Sequence, residues 1–339
     1  MDAAAAQLLS EVRPGGVCLF SRNIREAEQT RELLDGIRSS LKVDPILAVD
    51  QEGGLVDRLR RLVAPMPAAS QLRTADDAAA LGSIIAETLR LLGFNLDFAP
   101  VIDVATAGRG SANNGIFSRT FGSTKESVSE LAGAFLKSLE AGGVVGCLKH
   151  FPGLGAASVD SHEELPVVEI DREELVDTDL YPYRELLPRA GAVMVAHAAF
   201  PNFDLQEVDQ NGKLLPSSLS YAVVTELLRN KMGFTGASIT DDLEMGAILK
   251  NYGIGEACRM ALQAGEDLLA ICADPERIIT GYRAVLDAVA AGTIEEERID
   301  RSLARIAQLK NKLSPALEYD SARLAALSRE VEVLKEDLA

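Results

Sequence analysis

Residues 46–54 read ILAVDQEGG, four apolar residues that end abruptly in an acidic and glycine-rich stretch. An apolar run of this length, without a polar face, is typical of a strand that is buried on both sides. Six further runs of the same kind lie before and after it. They are VCLF (17–20), LDFAPV (96–101), VVGCLKH (144–150), AVMVAH (192–197), ASIT (237–240) and DLLAIC (267–272). The sequence therefore predicts seven buried strands.

Segments of helical period separate these runs. Three clear examples have apolar residues three and four apart, and two of them end in glycine: EAEQTRELLDGIRSSL (26–41), ADDAAALGSIIAETLRLLG (75–93) and SVSELAGAFLKSLEAGG (127–143). Strands that alternate with helices form parallel sheets through right-handed crossovers. A doubly wound open sheet and a closed (β/α)₈ TIM-type barrel both fit. Because no G-x-G-x-x-G motif follows the first strand, the nucleotide-binding open sheet loses support and we expect the barrel.

The predicted barrel has one strand too few. Eight strands are needed and seven are counted, and the first of these is preceded by a predicted helix at residues 2–12. We therefore expect the first strand to be lacking or shortened, with a gap between the residues after Leu19 and the 267–272 strand. From residue 293 the pattern changes to charged helices. We predict a catalytic barrel domain over residues 1–292 and a C-terminal helical extension of the same domain over 293–339.

Charge and composition exclude several classes of partner. The formal net charge of −17 argues against nucleic acid and against an anionic membrane surface. No apolar stretch approaches the length of a membrane span, and the first residues lack the basic start of a secretory signal. The four cysteines form no C-x-x-C pair, a pattern typical of buried thiols in a reducing compartment. We therefore expect a cytoplasmic protein.

Polar groups follow five of the predicted strands at the point where each strand ends. They are Asp50, Asp103, Lys149 with His150, His197, and Asp241 with Asp242. Loops at the carboxyl ends of barrel strands carry the active site in this architecture, so we expect these side chains to share one face. Each also has a structural reading: lone histidines are usually structural, and Asp242 is predicted to cap the helix that follows it. Such readings do not account for five strand ends at once.

A second candidate centre is the loop FPGLGAASVDSHEELP (151–166), which carries Asp160 and His162. Residues i and i+2 of an extended chain point the same way, so this carboxylate can reach the imidazole. An aspartate beside a histidine orients the ring and favours its protonated form, and such a histidine can act as acid and then base near neutral pH. A solvated loop without chemistry is the alternative.

At these residues the sequence resembles glycoside hydrolase family 3, in particular its single-domain β-N-acetylglucosaminidases of the NagZ type. The resemblance runs from about residue 14 to 310. It rests on long segments in order, which are PGGVCLFSRNI (14–24), VDQEGGLVDRLR (49–60), NLDFAPVIDV (95–104), RTFG (119–122), KHFPGLG (149–155), DSHEELP (160–166), AVMVAHAAFP (192–201), PSSLS (216–220) and GASITDDLEMGAI (236–248). So many ordered matches make a chance resemblance very improbable.

The resemblance implies a role for each matching residue. Asp241 corresponds to the catalytic nucleophile, and Asp160 with His162 corresponds to a loop dyad in which His162 is the general acid/base. The groups that hold the sugar ring correspond to Asp50, Arg58, Arg119, Lys149 and His150. We add His197 to this substrate-binding set because it too follows a strand. The implied partner is a small carbohydrate, a terminal β-linked N-acetylglucosamine from cell-wall muropeptides, and no metal or other cofactor is implied.

The implied reaction retains configuration. Asp241 attacks the anomeric carbon while His162 protonates the leaving oxygen, and His162 then deprotonates the water that hydrolyses the covalent intermediate. Two positions depart from the family pattern: Leu55 stands where arginine is usual and Leu154 where histidine is usual. We expect both to alter loop packing or contacts to the leaving group.

Three other functions fit the same residues. A histidine acid/base repels phosphate less than a carboxylate does, so phosphorolysis to a sugar 1-phosphate is the first alternative. A non-catalytic sugar-binding protein built on a degenerate barrel is the second. A zinc enzyme that uses the three histidines is a weaker third. The sequence leaves the leaving group of the substrate and the oligomeric state open.

Overall fold

A curled sheet of six parallel strands forms the centre of the molecule, as the computed structural model describes it for residues 1–105, 109, 115–159, 161 and 163–339. The strand order along the sheet is β1-β2-β5-β6-β7-β8. These six strands are β1 (Gly16–Leu19), β2 (Ile46–Val49), β5 (Leu96–Asp97), β6 (Val145–Phe151), β7 (Ala192–Val195) and β8 (Ala237–Thr240). The predicted α/β class with a parallel, barrel-type sheet is confirmed.

A small antiparallel hairpin projects from the end of β2. It consists of β3 (Gln51–Gly53) and β4 (Val56–Asp57), which the apolar runs in the sequence do not reveal. Gly53 and Gly54 have φ of 87° and 58°, values that favour glycine, so the tight turn expected of this pair is present. The hairpin places the residues after Asp50 over the carboxyl ends of the strands.

The sheet does not close into eight strands within the described residues. In that part of the chain, β1 pairs with β2 on one side only, and the predicted strand 267–272 shrinks to one parallel bridge between Leu268 and Ile239. Pairing stops there because the next amide, that of Ala270, donates to the side chain of Thr240 instead of a backbone carbonyl, at 3.0 Å. Across the gap, Arg22 Nη2 donates to the carbonyl of Cys272 at 2.7 Å. The gap thus lies where it was predicted, between the residues after Leu19 and the 267–272 segment.

Helices cover the outer face of the sheet. The α-helices of the described residues are Ala3–Val12, Ala27–Ser40, Ala75–Leu92, Lys125–Ala141, Arg172–Glu174, Leu180–Leu186, Gly246–Leu249, Ile254–Ala264, Pro275–Ala290, Glu296–Lys310 and Ser321–Leu338. Leu175–Asp179 and Ala222–Lys231 are π-helical, and Ala69–Gln71 and Ser217–Leu219 are 3₁₀ turns. Among these residues, no helix has the length and hydropathy that crossing a bilayer requires.

Alternation along the strands divides the core into an inner and an outer layer. Side chains such as Ile46, Ala48 and Leu96 fill the inside of the curled sheet, and Leu309 from helix Glu296–Lys310 joins them. The alternate residues, such as Leu47 and Val49, pack outward against the helices. Because the interior is filled with side chains, ligands can enter only from the strand ends.

The C-terminal helix Ser321–Leu338 lies against helix Ala75–Leu92. It buries an apolar stripe of Leu324, Leu327 and Val331, and Arg323 makes two hydrogen bonds of 2.6 Å to the carboxylate of Glu87. This arrangement agrees with the prediction that the residues after 293 are helical.

Candidate active site

Six of the strand-end residues singled out in the sequence meet on one face of the sheet. Parallel strands end at the same edge, so side chains such as Asp50 and Lys149, 99 positions apart in sequence, become neighbours. The residues that assemble there are Asp50, Asp103, Lys149, His150, His197 and Asp241. Arg58 and Arg119 reach the same place from the hairpin and from the loop before helix Lys125–Ala141. The expectation that these groups share one face is therefore met.

An ion-pair network lies at the centre of this face. Lys149 is almost fully buried, and its Nζ lies 2.8 Å from Oδ1 of Asp50 and 2.6 Å from Oε1 of Glu52. Arg119 binds the same glutamate in a bidentate manner, Nε to Oε2 at 2.8 Å and Nη2 to Oε1 at 2.9 Å. Two cations and two carboxylates thus hold one another in fixed positions, as bidentate geometry favours.

The network keeps its members charged despite burial. Burial by itself favours the neutral form of Glu52, but Lys149 and Arg119 hold the pKa of its carboxyl far below the ordinary value. Burial likewise opposes the charge on Lys149, whereas Asp50 and Glu52 raise the pKa of its ammonium group above the ordinary value. At neutral pH the face therefore offers fixed charges of both signs to a polar ligand.

His150 is oriented by a carboxylate on the neighbouring strand. Its Nδ1 lies 2.8 Å from Oδ2 of Asp103, and its Nε2 lies 3.4 Å from Nη2 of Arg119. Asp103 is buried, and its other oxygen accepts from the backbone N–H of Leu154 at 2.7 Å. Leu154, one of the two departures from the family pattern, is thus a buried residue whose backbone supports His150 through Asp103. Its side chain packs in the outer core.

Arg58 is held less completely than the other cations. Its Nη2 lies 3.7 Å from Oδ2 of Asp50, beyond hydrogen-bond distance, and its buried Nε has no hydrogen-bond partner in the described part of the chain. Its guanidinium lies 5.6 Å from the ring centroid of Phe20. An arginine whose guanidinium is incompletely hydrogen-bonded and lies beside a carboxylate is suited to donate hydrogen bonds to ligand oxygens. Leu55, the second departure from the pattern, is 69% exposed at the tip of the hairpin.

Asp241 lies directly after β8, on a loop fixed from two sides. Its backbone N–H donates to the carbonyl of Val195 at 3.0 Å, and its own Oδ1 accepts from the N–H of Asp242 at 2.8 Å. Burial raises the pKa of Asp241, but His150, His197 and the Asp242 amide outweigh this effect and lower the pKa below the ordinary value. Asp241 is therefore ionised at neutral pH, as a nucleophile has to be.

Asp242 does not cap the following helix, and that prediction was wrong. Helix Gly246–Leu249 has Met245 at its N-cap position, while Oδ1 of Asp242 accepts from the N–H of Glu244 at 3.0 Å. The chain makes an additional turn over residues 242–245 before the helix begins, so the carboxylate is one turn too early to reach the helix N-terminus. Burial raises the pKa of Asp242 to about 6.

Glu244 fixes the far side of the same loop. Its nearly buried carboxylate accepts from the backbone N–H groups of Cys272 at 2.8 Å, Ala273 at 2.5 Å and Asp274 at 3.1 Å. These amides precede and begin helix Pro275–Ala290, where a negative charge is favoured. The loop that carries Asp241 is thereby fastened to the segment on the other side of β8.

Asp160 and His162 lie outside the residues that the structure describes, so their predicted dyad stays a prediction. Ser161 between them is described and is buried, and its carbonyl accepts from the N–H of Ala247 at 3.2 Å. This contact attaches the loop to the chain six residues after Asp241.

Three residues of the site were given no role in the sequence analysis. Glu52 was quoted only as part of the strand end, although it stands two residues after Asp50 and could have been paired with it. Asp103 was noted after its strand but assigned nothing, and Ser218, which hydrogen-bonds His197, lies in the quoted PSSLS segment. As for metals, the described residues contain no group of three or more His, Cys, Asp or Glu side chains placed to hold an ion.

The fold and the site together define the class of protein: an enzyme of the (β/α)-barrel type with its chemistry at the carboxyl ends of the strands. The family described as "Glycosyl hydrolase family 3 N terminal domain" matches residues 1–309, and the chain belongs to this family of glycoside hydrolases.

Named relatives and solved structures agree with this assignment. The chain is 33% identical over 336 residues to "Beta-hexosaminidase A" of Pseudoalteromonas piscicida, covering 91% of this chain and 55% of that protein. It is 36% identical over 279 residues to "Beta-hexosaminidase" of Tolumonas auensis, covering 80% of this chain and 79% of that protein. A family 3 β-N-acetylglucosaminidase structure from Paenibacillus sp. strain FPU-7 superposes with a TM-score of 0.88 at 34% identity, covering 98% of this chain and 65% of that one. The chain thus spans little more than half the length of the first of these relatives.

Proposed function

We propose that this chain is a retaining exo-β-N-acetylglucosaminidase in which Asp241 is the nucleophile. The observation that carries the proposal is the position of Asp241, an ionised carboxylate at the end of β8 beside Lys149 and His150. Relatives at 33–36% identity are called β-hexosaminidases, which supports the choice of sugar.

The reaction has two steps. In the first, a carboxylate oxygen of Asp241 forms a bond to the anomeric carbon while the bond to the leaving oxygen breaks, and His162 gives that oxygen its proton. In the second, His162 takes a proton from water, and the water oxygen displaces Asp241 from the anomeric carbon. Two inversions give net retention, and Asp160 orients the histidine in both steps. The contact between Ser161 and Ala247 supports the proximity that this mechanism requires.

The ion-pair network serves the sugar ring. We assign ring hydroxyl groups to Asp50 as acceptor and to Lys149 and Arg58 as donors, since Nη2 of Arg58 lies 3.7 Å from Asp50 and its Nε has no hydrogen-bond partner within the described residues. His150 and Arg119, which lie beside this group, complete the set. Because these charges are fixed by Glu52 and Asp103, the ligand does not have to reorganise them on binding.

The natural substrate we propose is a muropeptide or another β-linked N-acetylglucosamine glycoside in the cytoplasm. The four cysteines are free thiols, which is consistent with a reducing compartment.

The decisive test is release of 4-nitrophenol from 4-nitrophenyl N-acetyl-β-glucosaminide. Wild type should release it, and Asp241→Asn should reduce kcat by about a thousandfold or more, since it removes the attacking oxygen charge. Asp300→Asn, an exposed aspartate on helix Glu296–Lys310, is the matched control and should keep full activity. NMR of the first sugar product should show the β-anomer.

The alternative functions predict different results in the same assay. Phosphorolysis would give N-acetylglucosamine 1-phosphate in phosphate buffer, and a zinc enzyme would lose activity with a chelator. Binding of the sugar without release of nitrophenol by wild type would refute the glycosidase proposal and favour a sugar-binding barrel.

A further inference from the structure

His197 lies behind the nucleophile loop with protein partners on both ring nitrogens. The ring is fully buried two residues after β7. Its Nε2 lies 3.0 Å from the carbonyl oxygen of Asp242, and its Nδ1 lies 2.7 Å from Oγ of Ser218. A carbonyl oxygen only accepts, so Nε2 has to carry a hydrogen. His197 therefore donates to the residue next to Asp241.

Ser218 is placed to hold this ring rigidly. It belongs to the buried 3₁₀ turn Ser217–Leu219, and its own backbone N–H donates to the carbonyl of Ala196 at 3.1 Å. The turn is thus fastened to the residue that precedes His197. A serine hydroxyl can accept from a charged imidazole and donate to a neutral one, so this bond persists in either protonation state of the ring.

From this geometry we infer that Ser218 is a positioning residue for the reaction: through His197 it fixes the backbone of Asp242, the residue next to the Asp241 carboxylate. The inference rests on the proposed role of Asp241 as nucleophile and adds a second layer to it. Ser218 touches neither the sugar nor the reacting atoms. Its effect reaches the reaction along the chain of contacts from Ser218 through His197 to Asp242.

The charged and titratable neighbours of Asp241 come from several elements. They are Lys149 and His150 from β6, His197 after β7, Cys272 at the end of the 267–272 segment, and Asp242 on the same loop. Nδ1 of His197 lies 2.7 Å from the hydroxyl of Ser218, whereas Nδ1 of His150 has a carboxylate partner. Removal of the Ser218 hydroxyl therefore acts on His197 and not on His150.

The test compares Ser218→Ala with Ser217→Ala. Ser217 is an equally buried serine of the same turn, but its hydroxyl donates to the carbonyl of Ala198 at 2.8 Å. We expect Ser218→Ala to lower kcat about tenfold with little change in KM, because the ring loses its 2.7 Å contact and with it the fixed orientation in which Nε2 donates to the carbonyl of Asp242. Ser217→Ala, which loses a hydroxyl of the same kind, should retain kcat within about twofold.

The split between kcat and stability separates this role from a merely structural one. His197→Gln keeps a donor for the carbonyl of Asp242 but has no Nδ1 for Ser218 to hold, so it should lower kcat to a similar extent. A merely structural role would change the stability of the fold and leave kcat of the folded enzyme unchanged.

A measurement without substrate keeps this inference separate from the proposed function. ¹H–¹⁵N spectra of the histidine rings should show hydrogen on Nε2 of His197 in wild type and an altered Nδ1 signal in Ser218→Ala. If wild type releases no nitrophenol, the proposed function fails, but the spectra still show whether Ser218 contacts Nδ1 of His197. Equal kcat in Ser218→Ala and Ser217→Ala, or an unchanged Nδ1 signal, would overturn the inference.

Discussion

Glu52→Gln is the substitution that tests the ion-pair network most directly. The change keeps the shape of the side chain but removes one of the two negative charges that balance Lys149 and Arg119. Glu52 accepts three hydrogen bonds, two at Oε1 and one at Oε2. A glutamine oxygen can replace Oε1, but its NH₂ group then faces Nε of Arg119, donor against donor.

The expected cost follows from burial. Glu52 and Lys149 are 4% and 2% exposed, and removing one partner of such a buried pair costs about 3–5 kcal/mol. This is a large part of the roughly 5–15 kcal/mol that stabilises an ordinary domain. Urea unfolding followed by circular dichroism measures the loss, with the exposed Glu32→Gln on helix Ala27–Ser40 as control. KM should also rise, because Lys149 and Arg119 lose their fixed positions.

The pH dependence gives a second check. The pKa of Glu52 is lower in the folded protein than in the unfolded chain, so its contribution is fully present above the ordinary pKa of 4.5 and is lost as the pH falls. The difference between wild type and Glu52→Gln should be constant from pH 6 to 8 and shrink only below about pH 4.5. A loss below about 1 kcal/mol with an unchanged KM would refute the reasoning.

Two other substitutions test parts of the fold away from the network. Glu266 is fully buried, and burial raises the pKa of its carboxyl to about 8. Because the pKa of the carboxyl is higher in the folded protein than in the unfolded chain, this group destabilises the fold increasingly from pH 4.5 to 8. Glu266→Gln should therefore stabilise the protein by about 3 kcal/mol at pH 7 and little at pH 5. Equal gains at both pH values in urea unfolding would contradict this. Gly155→Ala would place a Cβ 1.9 Å from the carbonyl oxygen of Val104, and we expect it to destabilise by about 3 kcal/mol in thermal unfolding. The matched change is Gly36→Ala in helix Ala27–Ser40, where an added Cβ has no atom within 4 Å, and it should stabilise the protein by about 0.5–1 kcal/mol. Similar effects of both substitutions would show that the contact with Val104 is not rigid.

Much of the architecture follows from local sequence pattern. Helix Ala75–Leu92 was predicted over 75–93, because its amphipathic period and the glycine that ends it are both local features of the sequence. In the structure Gly93 ends the helix in a left-handed conformation. The strand ends at Asp50, Lys149 and Asp241 could be read for the same reason, since an apolar run that stops at a charged residue is visible without any partner.

The errors arose where a hydrogen bond or a turn that the hydrophobic pattern does not record decides the structure. The run DLLAIC predicts a full strand, but the side chain of Thr240 takes the amide of Ala270, and one bridge remains. Asp242 looks like a helix cap until the additional turn before Gly246 is seen.

The sequence by itself thus determined the six strands of the main sheet, several of the helices and the set of polar residues that follow the strands. Only the tertiary structure decided how those residues pair: that Lys149 lies between Asp50 and Glu52, that Asp103 orients His150, and that Ser218 holds His197. The physical reason is that Lys149 and Asp50 are 99 positions apart in the chain, and Arg119 and Glu52 are 67 apart. Their contacts depend on strand order and on the curl of the sheet, which no local periodicity records.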